Sequence, residues 1–255
     1  MDFTLKKYCE LLNSLKASNY KFITFEEYCR GFRYEKFVIL RHDVDLLPYN
    51  SLQTANMEYS LGIRSSYYFR AIKESWDESI VRRMISQQHE IGYHYESLTT
   101  CNGDMEKAYM DFTENLYKFR EVAPINTICM HGSPRSKYDS KDIWKCYSYK
   151  KLDIVCEPYF DVDFDDLFYL TDTGRCWDGY RVSVRDRIEG HQDRWNSEGL
   201  SFHSTDDIIV AITKSKLPNR IMITTHPQRW NSFGYKWIKE LILQNAKNMI
   251  KRFLV

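Results

Sequence analysis

Apolar positions along the chain alternate between two spacings. Residues 1–14 set Phe3, Leu5, Tyr8, Leu11 and Leu12 among Lys6, Lys7 and Glu10, which is the pattern of an amphipathic helix. Thr24-Phe25-Glu26-Glu27 has capping-box spacing and predicts a short second helix ending near Gly31. Phe37-Val38-Ile39-Leu40 is a continuous run rich in β-branched residues, as a buried parallel strand would be. Pro48 then opens a helix through Tyr59 that stops at Gly62, and Ser66-Tyr67-Tyr68-Phe69 reads as the next strand. The alternation continues with helices over 78–88 and 105–119 and with strands around Ile91 and over 127–130. Ile154-Val155, Phe168-Tyr169-Leu170 and Ile221-Met222-Ile223 predict further strands, with helices over 205–214 and 235–253. Residues 181–204 are polar and poorly periodic.

Strands that alternate with helices require a parallel sheet, and the number of repeats favours an α/β barrel over a small open sheet. A chain of 255 residues fits one such domain, with residues 1–33 as a helical preface. Residues 1–255 are therefore expected to form a single unit, since no linker, repeat or low-complexity stretch divides them.

Composition changes this picture little. A hydrophobic fraction of 43% and a charged fraction of 28% are those of a folded protein, and a net charge of +1 gives no reason to expect a nucleic-acid partner. No stretch approaches the roughly 20 apolar residues that cross a bilayer, and the first residues lack the uninterrupted apolar core of a signal peptide. The expected location is the cytoplasm. Seven cysteines, scattered and without a C-x-x-C pair, are expected as reduced thiols, and none is nominated for chemistry.

In a barrel, chemistry gathers where strands end. The first strand runs into Arg41-His42-Asp43-Val44-Asp45, which puts two carboxylates on one side of an extended chain. Such like-charged neighbours need a metal or a base to offset them. His89-Glu90-Ile91-Gly92-Tyr93-His94 places His94 at the site end of another strand, with Gly92 allowing close approach and His89 at the far end, suited to bonding backbone. Met130-His131-Gly132-Ser133-Pro134-Arg135 and Thr224-Thr225-His226-Pro227 repeat the strand-then-histidine arrangement. Asp172, Arg175 and Trp177 follow a further strand and, with Trp230, are candidates for holding a sugar, because aromatic rings pack on apolar sugar faces and polar groups meet hydroxyls.

Taken in order, Arg41-His42-Asp43-Val44-Asp45, His89 to His94 and Thr225-His226-Pro227 resemble the polysaccharide deacetylase family with the NodB-homology domain, over about residues 36–230. The nearest subgroup is that encoded with O-antigen and surface-polysaccharide genes. The resemblance implies a distorted (β/α) barrel, a divalent metal, most often zinc, and hydrolysis of the N-acetyl group of an amino sugar. By position it implies Asp43 as catalytic base, Asp45 and His94 as metal ligands and His226 as general acid. The family's second metal-binding histidine falls on Leu98 here, which cannot coordinate. The third ligand is then expected to be His131, with Glu96 as second choice. The family's Arg-Pro motif is replaced by His131-Gly132-Ser133-Pro134.

Two other functions fit the same residues. One is hydrolysis of another small amide, such as a cyclic imide or ureide; the other is non-catalytic saccharide binding. For a cytoplasmic deacetylase the expected substrate is a nucleotide-linked or lipid-linked amino sugar.

Overall fold

The computed structural model describes residues 1–132, 136–179 and 188–254. Among the described residues, seven parallel strands form one sheet: β1 (Lys21–Ile23), β2 (Phe37–Val44), β3 (Ser66–Phe69), β4 (Glu90–Tyr95), β5 (Ile128–Met130), β6 (Phe168–Thr171) and β7 (Arg220–Thr225). Six of them lie in the lateral order β5-β4-β3-β2-β7-β6, which is chain order around a ring cut between β5 and β6, and β1 pairs with β2 off this path. The expected α/β barrel is thus a curled parallel sheet with an open seam. At that seam the segment around Ile154-Val155 makes only an isolated parallel bridge, Thr127 to Cys156, instead of the predicted strand.

Ten α-helices among the described residues surround the sheet: α1 (Leu5–Ala17), α2 (Phe25–Cys29), α3 (Pro48–Ser60), α4 (Glu78–Ser86), α5 (Ser97–Thr100), α6 (Met105–Arg120), α7 (Pro158–Asp161), α8 (Gln192–Ser197), α9 (Thr205–Thr213) and α10 (Tyr235–Leu254). The Thr24 capping box forms as its spacing requires. No helix among the described residues is long and apolar enough to cross a membrane.

All eight residues of β2 are buried, and their alternation sorts the core into an inside and an outside. Val38 and Leu40 pack outward with Ile221 and Ile223 of β7 against Tyr8, Leu11 and Leu15 of α1 and Ile208 and Ile212 of α9. Phe37 and Ile39 point inward with Tyr68, Cys129 and Met222, and Phe25 and Tyr28 of α2 join them. Gly92 is needed here because a Cβ would lie 2.3 Å from Cε1 of Tyr68. A second outer core sets Tyr67, Phe69, Tyr93 and Tyr95 against Val81 and Met84 of α4 and Phe112 and Leu116 of α6.

Two expectations need correction. The N-terminal segment is more than a helical preface: β1 pairs with the first half of β2, on the edge that β3 takes further along, and α1 is integral to the core. Three residues with one buried side chain gave too little alternation to reveal β1. The cysteines are also not all free. Cys29, at the end of α2, and Cys156, beside β5, are 127 positions apart yet joined in a disulfide. That pairing depends on tertiary placement, which sequence spacing does not carry.

Candidate metal centre and active site

β2 continues beyond its predicted end, so Arg41, His42 and Asp43 belong to the strand itself. Arg41 and Asp43 are on the same face, and Arg41 Nε and Nη2 donate to Asp43 Oδ1 at 2.9 Å and Oδ2 at 2.6 Å. Burial alone would raise the Asp43 carboxyl; the Arg41 guanidinium and then His94 reverse this and hold it well below the usual range. His42 faces the other way, bonding Thr225 Oγ1 at 2.6 Å and lying 2.8 Å from the buried Glu58 carboxylate. His89 Nε2 lies 3.2 Å from the backbone oxygen of Ala55, far from the site.

Asp45 follows the end of β2. Its Oδ1 lies 3.7 Å from His94 Nε2 and 3.3 Å from His131 Nε2, and its Oδ2 lies 4.0 Å from His226 Nε2. Donor atoms of Asp45, His94 and His131 all fall within 4.8 Å of one another. Asp45 Oδ1 is buried without a hydrogen-bond partner, an expensive state unless a cation completes it. Burial would raise this carboxyl too, but His131, His226 and His94 hold it far below its ordinary value.

Each histidine is oriented by what its other nitrogen meets. His94 Nδ1 donates to the Cys129 carbonyl at 2.9 Å, leaving the Nε2 lone pair facing Asp45. Burial pushes this imidazole down to about 4, favouring the neutral form that binds metals. His131 Nδ1 lies 3.0 Å from Glu96 Oε2, and Arg70 holds the other Glu96 oxygen through Nε at 2.8 Å. Burial would lower His131, but Asp45 and Glu96 overturn it and raise the ring to about 9. Of the two candidates for the third ligand, His131 faces the cluster and Glu96 stands behind it. Leu98 is buried in a small cluster with Ala108 and Ile143.

His226 is held by a buried carboxylate. Its Nδ1 is 2.6 Å from Asp172 Oδ1, and Asp172 also accepts from the His226 backbone N, Arg229 Nη1 and Trp230 Nε1. Asp172 is held low despite burial, by His226 and Arg229. Gln228 Nε2 donates to Asp45 Oδ2 at 3.0 Å and ties this loop to β2.

The structure therefore brings Asp43, Asp45, His94, His131 and His226 together at the strand ends. It does not assemble the expected sugar-facing group. Asp172 is fully buried behind His226, and Trp230 is fully buried and bonded to Asp172. Trp177 is buried near Phe3 and donates to Thr205 Oγ1, while Arg175 stacks on Trp237. Polar and aromatic residues after a strand can line a mouth or brace it from behind, and local sequence does not distinguish the two. Ser133, Pro134 and Arg135 lie outside the described residues, as do 181–187 of the polar segment. The residues that sequence reading missed are Arg70 and Gln228, together with the role of Arg41. Arg70 directly follows β3, so the strand-end rule would have reached it.

A carboxylate and two imidazoles, with an unpartnered buried oxygen among them, form a donor set suited to zinc or a related divalent ion once His131 gives up its proton. Among the described residues, the Asp45 side chain is 19% exposed, His131 15% and His226 12%, against 6% for Asp43 and 3% for His94. The cluster is thus reached by solvent from the side of Asp45 and is closed beneath.

No family model and no curated protein matches the chain. Solved structures give distant likenesses. A CE4 family pseudoenzyme from Bacillus anthracis is 9% identical at a TM-score of 0.46, over 85% of this chain and 61% of that one. This chain thus spans less than two thirds of that protein. A family 4 carbohydrate esterase from Streptomyces lividans, solved with acetate, is 13% identical at a TM-score of 0.42, over 85% of this chain and 89% of that one. A family 4 carbohydrate esterase from Bacillus subtilis is 10% identical at a TM-score of 0.41, over 93% and 84% of the two chains.

Proposed function

We propose that the protein is a metal-dependent carbohydrate deacetylase that hydrolyses the N-acetyl group of an amino sugar. The observation that carries this reading is the Asp45, His94 and His131 cluster beside a carboxylate, Asp43, that Arg41 keeps ionised. Asp45, His94 and His131 would hold the ion, which when bound supplies Lewis-acid polarisation of an acyl oxygen and acidifies water.

The other roles belong to the chain's own residues. Asp43 accepts the proton of the attacking water. His226, with its charge balanced by Asp172, donates a proton to the nitrogen as the carbon-nitrogen bond breaks. Acetate and a free amine result. Arg41, Arg70 and Gln228 position Asp43, Glu96 and Asp45. The substrate in this reading is a sugar precursor of a surface polysaccharide.

The test is metal content after chelator stripping and reconstitution with zinc, wild type against His94→Ala, followed by acetate release from N-acetylated amino sugars. Near-stoichiometric zinc that His94→Ala loses, together with acetate release, supports the reading. A wild-type protein that takes up no metal overturns it.

A further inference from the structure

The site of the proposed deacetylase opens beside an apolar rim. Leu47, just before α3, is 51% exposed, and Tyr49 in its first turn is 59% exposed. Leu47 has φ +56, an uncommon conformation for a residue with a side chain, and its backbone N is fixed on the Glu74 carbonyl at 2.9 Å. The chain thus keeps a strained leucine facing solvent two residues after Asp45. The loop after β7 adds Phe233, 62% exposed. Asn50 Nδ2 donates to Asn231 Oδ1 at 3.0 Å, joining the first turn of α3 to the loop after β7.

From this rim α10 departs. One of its faces is anchored: Trp237 Nε1 donates to the Asp2 carbonyl at 2.9 Å, and Asn248 Nδ2 to the Gly174 carbonyl at 2.8 Å. The opposite face presents Tyr235, Ile238 and Ile242 to solvent at i, i+3 and i+7, a continuous apolar stripe. Lys236 and Lys239 flank it, also exposed, and Glu240 is the one acid in the helix sequence. An apolar stripe edged by lysines is complementary to an anionic lipid surface; pairing with an identical helix would set like charges together.

We propose that the rim and the exposed stripe of α10 rest on an anionic bilayer surface, so that the saccharide reaching the site is one carried at that surface. The membrane contact stands by itself, whereas the substrate clause rests on the deacetylase reading.

The test is co-sedimentation of the full chain with vesicles of phosphatidylcholine plus phosphatidylglycerol, compared with phosphatidylcholine alone. Binding to the anionic vesicles is expected, and it should weaken at least about tenfold in Lys236→Glu/Lys239→Glu, in Ile238→Ser/Ile242→Ser and at high salt. Circular dichroism and metal content of both variants should match wild type. Absence of binding, equal binding by the variants, or a concentration-dependent dimer that the isoleucine variant dissolves overturns the proposal. Vesicle binding without acetate release would instead sink the deacetylase reading and leave the membrane contact in place.

Discussion

His131 turns Nδ1 to Glu96 Oε2, 3.0 Å away, and Nε2 to Asp45, so one carboxylate stands behind the imidazole and the other in front. This arrangement separates the two side chains in experiment. His131→Ala should abolish stoichiometric zinc binding, while Glu96→Gln should weaken it by only about 10- to 100-fold, the usual effect of an orienting partner. Competition with a chromogenic chelator gives both numbers, and a larger loss in Glu96→Gln would reverse the assignment.

The same ring sets a pH dependence in the metal-free protein. His131 is raised from 6.5 to about 9, so its contribution to stability is full below about 6.5 and is lost as pH rises through about 9. His94 is lowered from 6.5 to about 4, so its contribution is present above about 6.5 and is lost as pH falls through about 4. The thermal midpoint of stripped protein should peak near pH 6.5. Zinc must displace the His131 proton, so apparent affinity should climb up to about pH 9 with proton release. Calorimetry in buffers of different ionisation heat checks this, and a flat affinity would count against His131 as ligand.

Asp43→Asn should keep its metal and lose roughly a hundred- to ten-thousand-fold in turnover, the range of a positioned proton acceptor. Metal analysis and acetate release on the same preparation are the measurements. Unchanged turnover removes Asp43 from its role.

Arg41→Met leaves the Asp43 carboxylate buried without its partner and should cost about 3–5 kcal/mol in urea unfolding. Adding Asp43→Asn should recover most of that loss. Simple additivity of the two losses would mean that the pair is not coupled.

Denatured, unreduced protein should titrate five thiols instead of seven, because Cys29 and Cys156 are joined. Reduction should lower stability by up to about 4–5 kcal/mol for so long a loop. Disulfides persist chiefly in oxidising compartments, so a count of five in protein taken from its native host would remove the thiol argument for a cytoplasmic location, and a count of seven would restore it.

What could be read from the sequence was local. A run such as Phe37 to Leu40 announces a buried strand, and a strand end announces where His94, His131 and His226 emerge, because both depend on neighbours a few positions away. Which way a loop residue turns depends on the elements packed behind it. Asp172 and Trp230 read as sugar contacts, yet they brace His226 from within, since Arg229 and the His226 backbone claim the carboxylate. Arg41 was in view all along, but its bond to Asp43 becomes apparent only once β2 is known to extend through both residues. The Cys29 to Cys156 bond lay beyond any local signal.

The Arg41 and Asp43 pair differs in kind from the ligand set. Asp45, His94 and His131 come from three separate strand ends and meet only when the sheet has closed around them, whereas Arg41 and Asp43 share one strand and one face. The countercharge is therefore inherited with the carboxylate. Insertions, deletions or exchanges in the surrounding loops can rearrange the Asp45, His94 and His131 cluster without leaving that carboxylate unneutralised. The Arg41 and Asp43 pair is a self-contained cassette of one strand, and the Asp45, His94 and His131 cluster is a property of the whole sheet.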